Sequence, residues 1–282
     1  MNHEAPADAA ALPVTFIRPG QRVGSFTWRE AWQARELMYF LAMRDAKLRY
    51  SQTVLGAAWA ILQPFMAMVV FTVFFGRLGG IPSDGVPYPL FAFAALVPWT
   101  YFAAAVAGGA NSMVGSQYLI SKVYFPRVLV PLAAVATPAI DMAISFAFLL
   151  VLLAWYRVAP TAAVLLIPLW TLLAIVSAVG VSLWLAALSV RYRDVRHVLP
   201  FLVQIWLFAT PVAYPASLVA PPWRLVYGLN PMASVVEGFR HALLGTPAPG
   251  AMVLVSVVVA GMLVATGTSY FKRVESSLVD LV

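Results

Sequence analysis

The sequence predicts an all-α integral membrane protein with six transmembrane helices, preceded by an N-terminal interfacial amphipathic helix. Three observations carry this. Hydrophobic residues make up 62% of the 282, charged residues only 10%, and mean hydropathy is +0.86. Soluble domains carry about 25% charged residues, and a chain this apolar cannot face water without large apolar patches. Second, six long stretches lack Asp, Glu, Lys and Arg, apart from Asp141 inside one of them. Third, the basic residues fall mostly on one side of the topology that these stretches define.

A spanning helix needs about 20 apolar residues, because the hydrocarbon core is about 30 Å thick. Trimmed at prolines, glycines and polar residues, the six stretches give spans near 54–76, 88–110, 128–155, 160–189, 197–219 and 250–271. Lys and Arg stay on the cytoplasmic side when loops are short. With both termini cytoplasmic, fourteen of the eighteen Lys and Arg residues lie inside and four (Arg77, Arg157, Arg224, Arg240) outside. The net charge of +7 is therefore a topology signal and a match for lipid headgroups, not a sign of nucleic acid.

Residues 1–26 have no apolar core of a signal peptide, being interrupted by Pro6, Asp8, Pro13, Arg18, Pro19 and Gly20, and are expected to be poorly ordered and cytoplasmic. The interfacial helix is placed at 27–50. Thr27 and Glu30 form a capping-box pattern, and Trp28, Trp32, Tyr39 and Met43 fall in one stripe, with Arg35 at its edge. Indole and phenol rings along one side suit the headgroup layer, with Trp28 and Trp32 as anchors. A soluble helix packed on a neighbour is the alternative. The membrane domain then runs over 51–271, followed by a cytoplasmic tail, 272–282.

Two connectors are unusual. Residues 111–127, on the inner side, contain Leu119, Ile120, Val123, Tyr124 and Phe125, so they either pack under their own bundle or offer an apolar knob to a partner. The outer stretch 211–249 carries five prolines between Pro211 and Pro231, which preclude one continuous helix. Within it Asn230-Pro231 reads as an N-cap with proline at the first helical position, and Gly245 with Pro247 as a stop. Met232, Val235, Val236, Phe239 and Leu243 line one face of that helix, and Glu237, Arg240 and His241 another. A short pair of helices dipping into the outer leaflet is expected, serving either a pathway exit or a lid over the bundle. Asp141 is the one ionisable side chain within a span, and such groups usually face the bundle interior or a wet cavity. A hydrogen-bonding role and a pathway role both fit it.

No cysteine is present and the three histidines (His3, His197, His241) are scattered, so disulfides, thiolate metal sites and a metal centre are not expected. The acids beyond the N-terminal tail are isolated, which disfavours a membrane glycosyltransferase or phosphatase, whose chemistry needs clustered groups. These residues contain no phosphate-binding loop of the form G-x-x-x-x-G-K-[ST], so ATP would have to be handled by another subunit.

Four stretches resemble a known family: RDAKLRYSQTVLGAAWAILQPF (44–65), ISKVYFPRVLVP (120–131), LSVRYRDVRHVLPFLVQIWLFATPVAYP (188–215) and NPMASVVEGFRHALLG (230–245). They are similar to the permease subunits of type-2 ABC exporters for bacterial surface polysaccharides, the Wzm-like O-antigen, capsule and teichoic acid permeases. The resemblance implies a permease homodimer in the inner membrane, bound to two copies of an ATPase subunit that holds ATP and Mg. It implies a cytoplasmic coupling helix in 111–127, with Lys122, Tyr124, Phe125 and Arg127 matching the coupling motif. It also implies outer gate helices in 215–245, where Glu237 and Arg240 lie. The cargo would be a lipid-linked polysaccharide, O-antigen first, with capsule, teichoic acid or a small molecule as alternatives. A channel without an energy source is disfavoured by the coupling-like loop. Sugar chains would pass an aromatic-lined channel, for which Phe65, Trp99, Trp206, Phe208 and Tyr214 are candidates, lipid-facing placement being the alternative for each.

Overall fold

A computed structural model describes residues 33–51, 56–123 and 125–275. Trp28, Trp32, the Thr27 cap and Tyr124 lie outside the described residues. All regular structure among those residues is helical.

Helix α1 (Arg35–Tyr50) has Glu36 in its first turn and Lys47 and Arg49 in its last, matching its macrodipole. It buries Leu41 and Ala46 and leaves Tyr39, Phe40 and Met43 exposed, so the expected aromatic stripe faces away from the bundle where it can be seen. A short 3-10 turn, Gly56–Ala58, leads into α2 (Trp59–Phe71), which continues as a π-helical segment, Thr72–Leu78. Helix α3 (Tyr88–Gly115) is apolar all round and is the most buried span, as a helix without a polar face must be. The connector holds α4 (Gln117–Lys122). The third expected span is two helices, α5 (Leu129–Ala136) and α6 (Ala139–Trp155), parted at Pro138. A 3-10 turn, Ala162–Leu166, opens α7 (Ile167–Arg191). There follow α8 (Asp194–Ala209), α9 (Pro221–Tyr227), α10 (Pro231–Leu244) and α11 (Met252–Glu275).

Five segments are long and apolar enough to cross a bilayer: Gly56–Leu78, Tyr88–Gly115, Leu129–Trp155, Ala162–Arg191 and Met252–Glu275. The expected fifth span, 197–219, differs. Helix α8 stops at Ala209, where Thr210 turns extended ahead of Pro211, and its 16 residues reach only about 24 Å. Only Leu199 of α8 is buried.

The tightest packing is α7 against α3 and α11. It depends on small residues: a Cβ on Gly109 would lie 2.4 Å from the Ser182 Cβ, and one on Gly267 2.8 Å from the Gly180 carbonyl. Close backbone approach of this kind replaces the hydrophobic drive that lipid cannot supply. Around this frame, α10 is driven inward between α3, α7 and α11.

Candidate functional site

Helix α10 is placed by its caps. The Asn230 Oδ1 accepts from the Met232 N–H at 3.2 Å, and Gly245 closes the helix in the left-handed conformation at φ 72°. Asn230 also accepts from the Trp206 indole at 3.0 Å and donates to the Thr210 hydroxyl at 2.9 Å, tying the end of α8 to the start of α10. Gly238 lets the helix approach the Trp170 ring, which a Cβ would meet at 2.2 Å.

The side of α10 that carries Glu237 and Arg240 is turned into the protein. Arg240 is fully buried and Glu237 is 5% exposed, and the two pair at 2.9 Å. The guanidinium also donates to the carbonyls of Pro211 (2.6 Å), Val212 (2.6 Å) and Phe91 (3.1 Å), and sits 3.4 Å from the Phe91 ring centroid. A buried charge needs this degree of satisfaction. His241, expected beside Glu237, turns instead to the Thr246 carbonyl at 2.6 Å. The clasp holds the irregular segment after α8 against α10 and α3.

Helices α2, α3, α6 and α8 line an open cavity of about 870 Å³. Its wall is uncharged along most of its length: Gln63, Thr100, Asn111, Ser145 and Gln204 among small residues, with Trp59, Trp99 and Tyr101 adding aromatic faces. Arg49, Tyr50 and Asp141 lie together on its wall, at the end of α1. Asp141 occupies the first turn of α6, and its carboxylate takes the Arg49 guanidinium at 2.5 Å and the Tyr50 hydroxyl. Burial, and then the hydrogen bond to Asp141, push the Tyr50 phenol up to about 12, so it remains a donor at neutral pH. Asp141 is thus partnered from α1, a pairing that no local pattern reveals. Neutral hydrogen-bonding groups and ring faces can accompany a hydroxylated chain without gripping it at one point.

Of the five candidate channel aromatics, Trp99 lines this cavity. Phe65 turns the other way and meets Phe148 edge-on at 6.0 Å. Trp206 packs edge-on against Phe102 at 5.0 Å, Phe208 is half-exposed, and Tyr214 pairs with the Tyr227 hydroxyl and donates to the Phe208 carbonyl at 2.9 Å. In the inner connector, Lys122 and Tyr118 are exposed while Phe125 is buried in the bundle. Arg127 donates to the Glu275 carbonyl at 2.8 Å, anchoring the connector to the end of α11. The connector therefore combines an anchored end with an exposed tip, two options that the sequence left as alternatives. Among the described residues no group of three His, Asp or Glu side chains could hold a metal ion.

Five helical segments long and apolar enough to cross a bilayer, packed around a cavity whose wall is mostly uncharged, give the frame of a membrane transport protein. The chain belongs to the ABC-2 type transporter family, whose pattern it matches over residues 36–244. It is 34% identical over 215 residues to the O-antigen export system permease protein RfbA of Myxococcus xanthus, covering 75% of this chain and 82% of that protein. It is 21% identical over 247 residues to RfbA of Klebsiella pneumoniae, covering 87% of this chain and 95% of that one. The polysialic acid transport protein KpsM of Escherichia coli is 23% identical over 210 residues, covering 72% and 80% respectively.

Proposed function

We propose that this chain is the permease subunit of an ATP-driven exporter that moves lipid-linked polysaccharide, O-antigen first, across the cytoplasmic membrane. The observation that carries the reading is the cavity between α2, α3, α6 and α8, whose wall is uncharged along most of its length, in a chain similar over most of its length to proteins named O-antigen export permeases. Similarity to a polysialic acid transport protein favours capsular polysaccharide as the second cargo.

In this reading the chain crosses the inner membrane six times with both termini cytoplasmic, the fifth crossing being α8 completed by the segment after Thr210. It works as a homodimer. Helix α8 leaves Phe201, Leu202, Ile205 and Phe208 exposed, and α2 with its π-helical continuation leaves Met66, Val70 and Phe74, two apolar faces that flank the cavity and suit a second copy. Two ATPase subunits bind ATP and Mg and dock on the connector, through Lys122 and Tyr124, while Phe125 and Arg127 carry the motion into the bundle. Helix α1 lies in the inner headgroup layer, anchored by Trp28 and Trp32. Helices α9 and α10 form the outer gate, held by Glu237 and Arg240. Trp99 offers a ring face to passing sugars, and Phe65, Trp206, Phe208 and Tyr214 shape the surroundings of the path.

Deleting the gene should leave polysaccharide inside the cell, and a plasmid copy should restore it to the surface, read by antibody on intact and on permeabilised cells. Unchanged surface polysaccharide in the deletion would overturn the assignment.

A further inference from the structure

Helix α2 separates two hollows that share no lining residue. Gln63, Pro64 and Ala67 face the cavity described above. The opposite side of α2 forms with α6 a second groove of about 600 Å³, within the range of about 300–1,000 Å³ seen for small-molecule sites. Phe65 and Val73 of the α2 segment and Phe148 and Val151 of α6 make its apolar walls. Arg77 and Trp155 also line it, both in the last turns of their segments.

Arg77 makes no hydrogen bond or ion pair among the described residues, and its side chain is exposed. It is carried by the π-helical segment Thr72–Leu78, a local geometry that recurs at functional sites. A guanidinium at the end of an apolar slot that an indole also lines matches an acyl chain joined to an anionic headgroup. The indole belongs at the membrane–water boundary and the guanidinium forms fork-like hydrogen bonds to phosphate oxygens.

We infer that the α2–α6 groove binds an anionic glycerophospholipid, its acyl chain between Phe65 and Val151 and its phosphate on Arg77. Assignment of the site to the outer leaflet rests on the topology proposed above; the binding itself does not. A single cation near an anionic lipid surface is worth about a fivefold preference.

The test uses the purified, delipidated full chain in detergent with equal amounts of phosphatidylglycerol and phosphatidylcholine, bound lipids being counted by native mass spectrometry. The first lipid retained should be phosphatidylglycerol by about fivefold. Arg77→Gln should abolish that preference, Arg77→Lys should keep most of it, and Val151→Trp should lower retention of both lipids. An unchanged preference in Arg77→Gln would overturn the site. So would displacement of the phospholipid by an equal amount of a polyprenyl diphosphate, which would make the groove a carrier site. If Val151→Trp instead split a dimer without changing the lipid count, the occupant would be a second copy and the inference would fall. None of these readouts requires transport, so failure here leaves the export reading standing, and failure of export leaves this site testable.

Discussion

Arg240 meets Glu237 one turn earlier on α10 at 2.9 Å, in a place where the guanidinium has no contact with solvent. The pair is only part of the arrangement, because the same side chain holds the Pro211 and Val212 carbonyls at 2.6 Å and the Phe91 carbonyl at 3.1 Å. A residue counted among the outer basic charges thus acts as an internal clasp between three parts of the fold.

Arg240→Ala should destabilise the protein by about 3–5 kcal/mol, since it strands a buried carboxylate as well as the carbonyls. Glu237→Gln should cost less, because Arg240 retains its carbonyl acceptors. Thermal unfolding in detergent, followed by monodispersity on a sizing column, checks the order; equal losses would mean that the carbonyl contacts contribute little.

The Arg49–Asp141 pair should behave differently. Both side chains are partly exposed, at 39% and 24%, so neutralising either should cost about 1 kcal/mol or less. Arg49→Gln combined with Asp141→Asn should cost no more than the worse single change, as expected for partners in one interaction. Strict additivity in this double-mutant cycle would show that the two act independently. Asp141→Asn should still accept the Tyr50 hydroxyl and stay folded, so loss of export in that variant would place its charge in the pathway.

In the inner connector, exposed and buried positions should separate partner binding from stability. Lys122→Glu should weaken co-purification with the ATPase partner while leaving the permease fold intact. Phe125→Ala should destabilise the permease itself by about 3–5 kcal/mol, since Phe125 is only 8% exposed. Pull-down yield and unfolding temperature, measured on both variants, distinguish these outcomes; an unfolded Lys122→Glu or a full-strength Phe125→Ala would reverse the assignment.

Gly238 faces the Trp170 ring so closely that an added Cβ would sit 2.2 Å from it. Gly238→Ala should therefore cost about 1–3 kcal/mol through overpacking. Trp170→Leu in the same chain should recover part of the loss, read again from unfolding temperature. No recovery would mean that the glycine serves something other than this contact.

Local signals were readable from the sequence. The Asn230-Pro231 cap and the Gly245 stop bound α10 where expected, because capping involves neighbours in the chain. Hydropathy located the five long helices for the same reason, each window reporting its own solvent. The failures lie where distant residues decide. Arg49 is 92 positions from Asp141, and the carbonyl acceptors of Arg240 lie on two distant stretches of chain, at Phe91 and at Pro211–Val212, so neither arrangement leaves a local trace. Hydropathy also carried the fifth span on to 219, although its helix ends at Ala209, where Thr210 turns extended ahead of Pro211, ten residues earlier. Among the aromatics, composition supplied the ring faces but could not say which way Phe65 turned, since α2 is apolar on both sides.

The central claim is that this chain supplies a passage while another subunit supplies the energy. Reconstitution into vesicles tests it directly, with lipid-linked polysaccharide outside and its transfer to the lumen followed by protection from an added glycosidase. Inside-out vesicles holding the permease and its ATPase partner should protect the polymer only when ATP is present, and those holding the permease alone should protect none. ATP-independent accumulation against a gradient, or chemical conversion of the polymer by the lone permease, would contradict it.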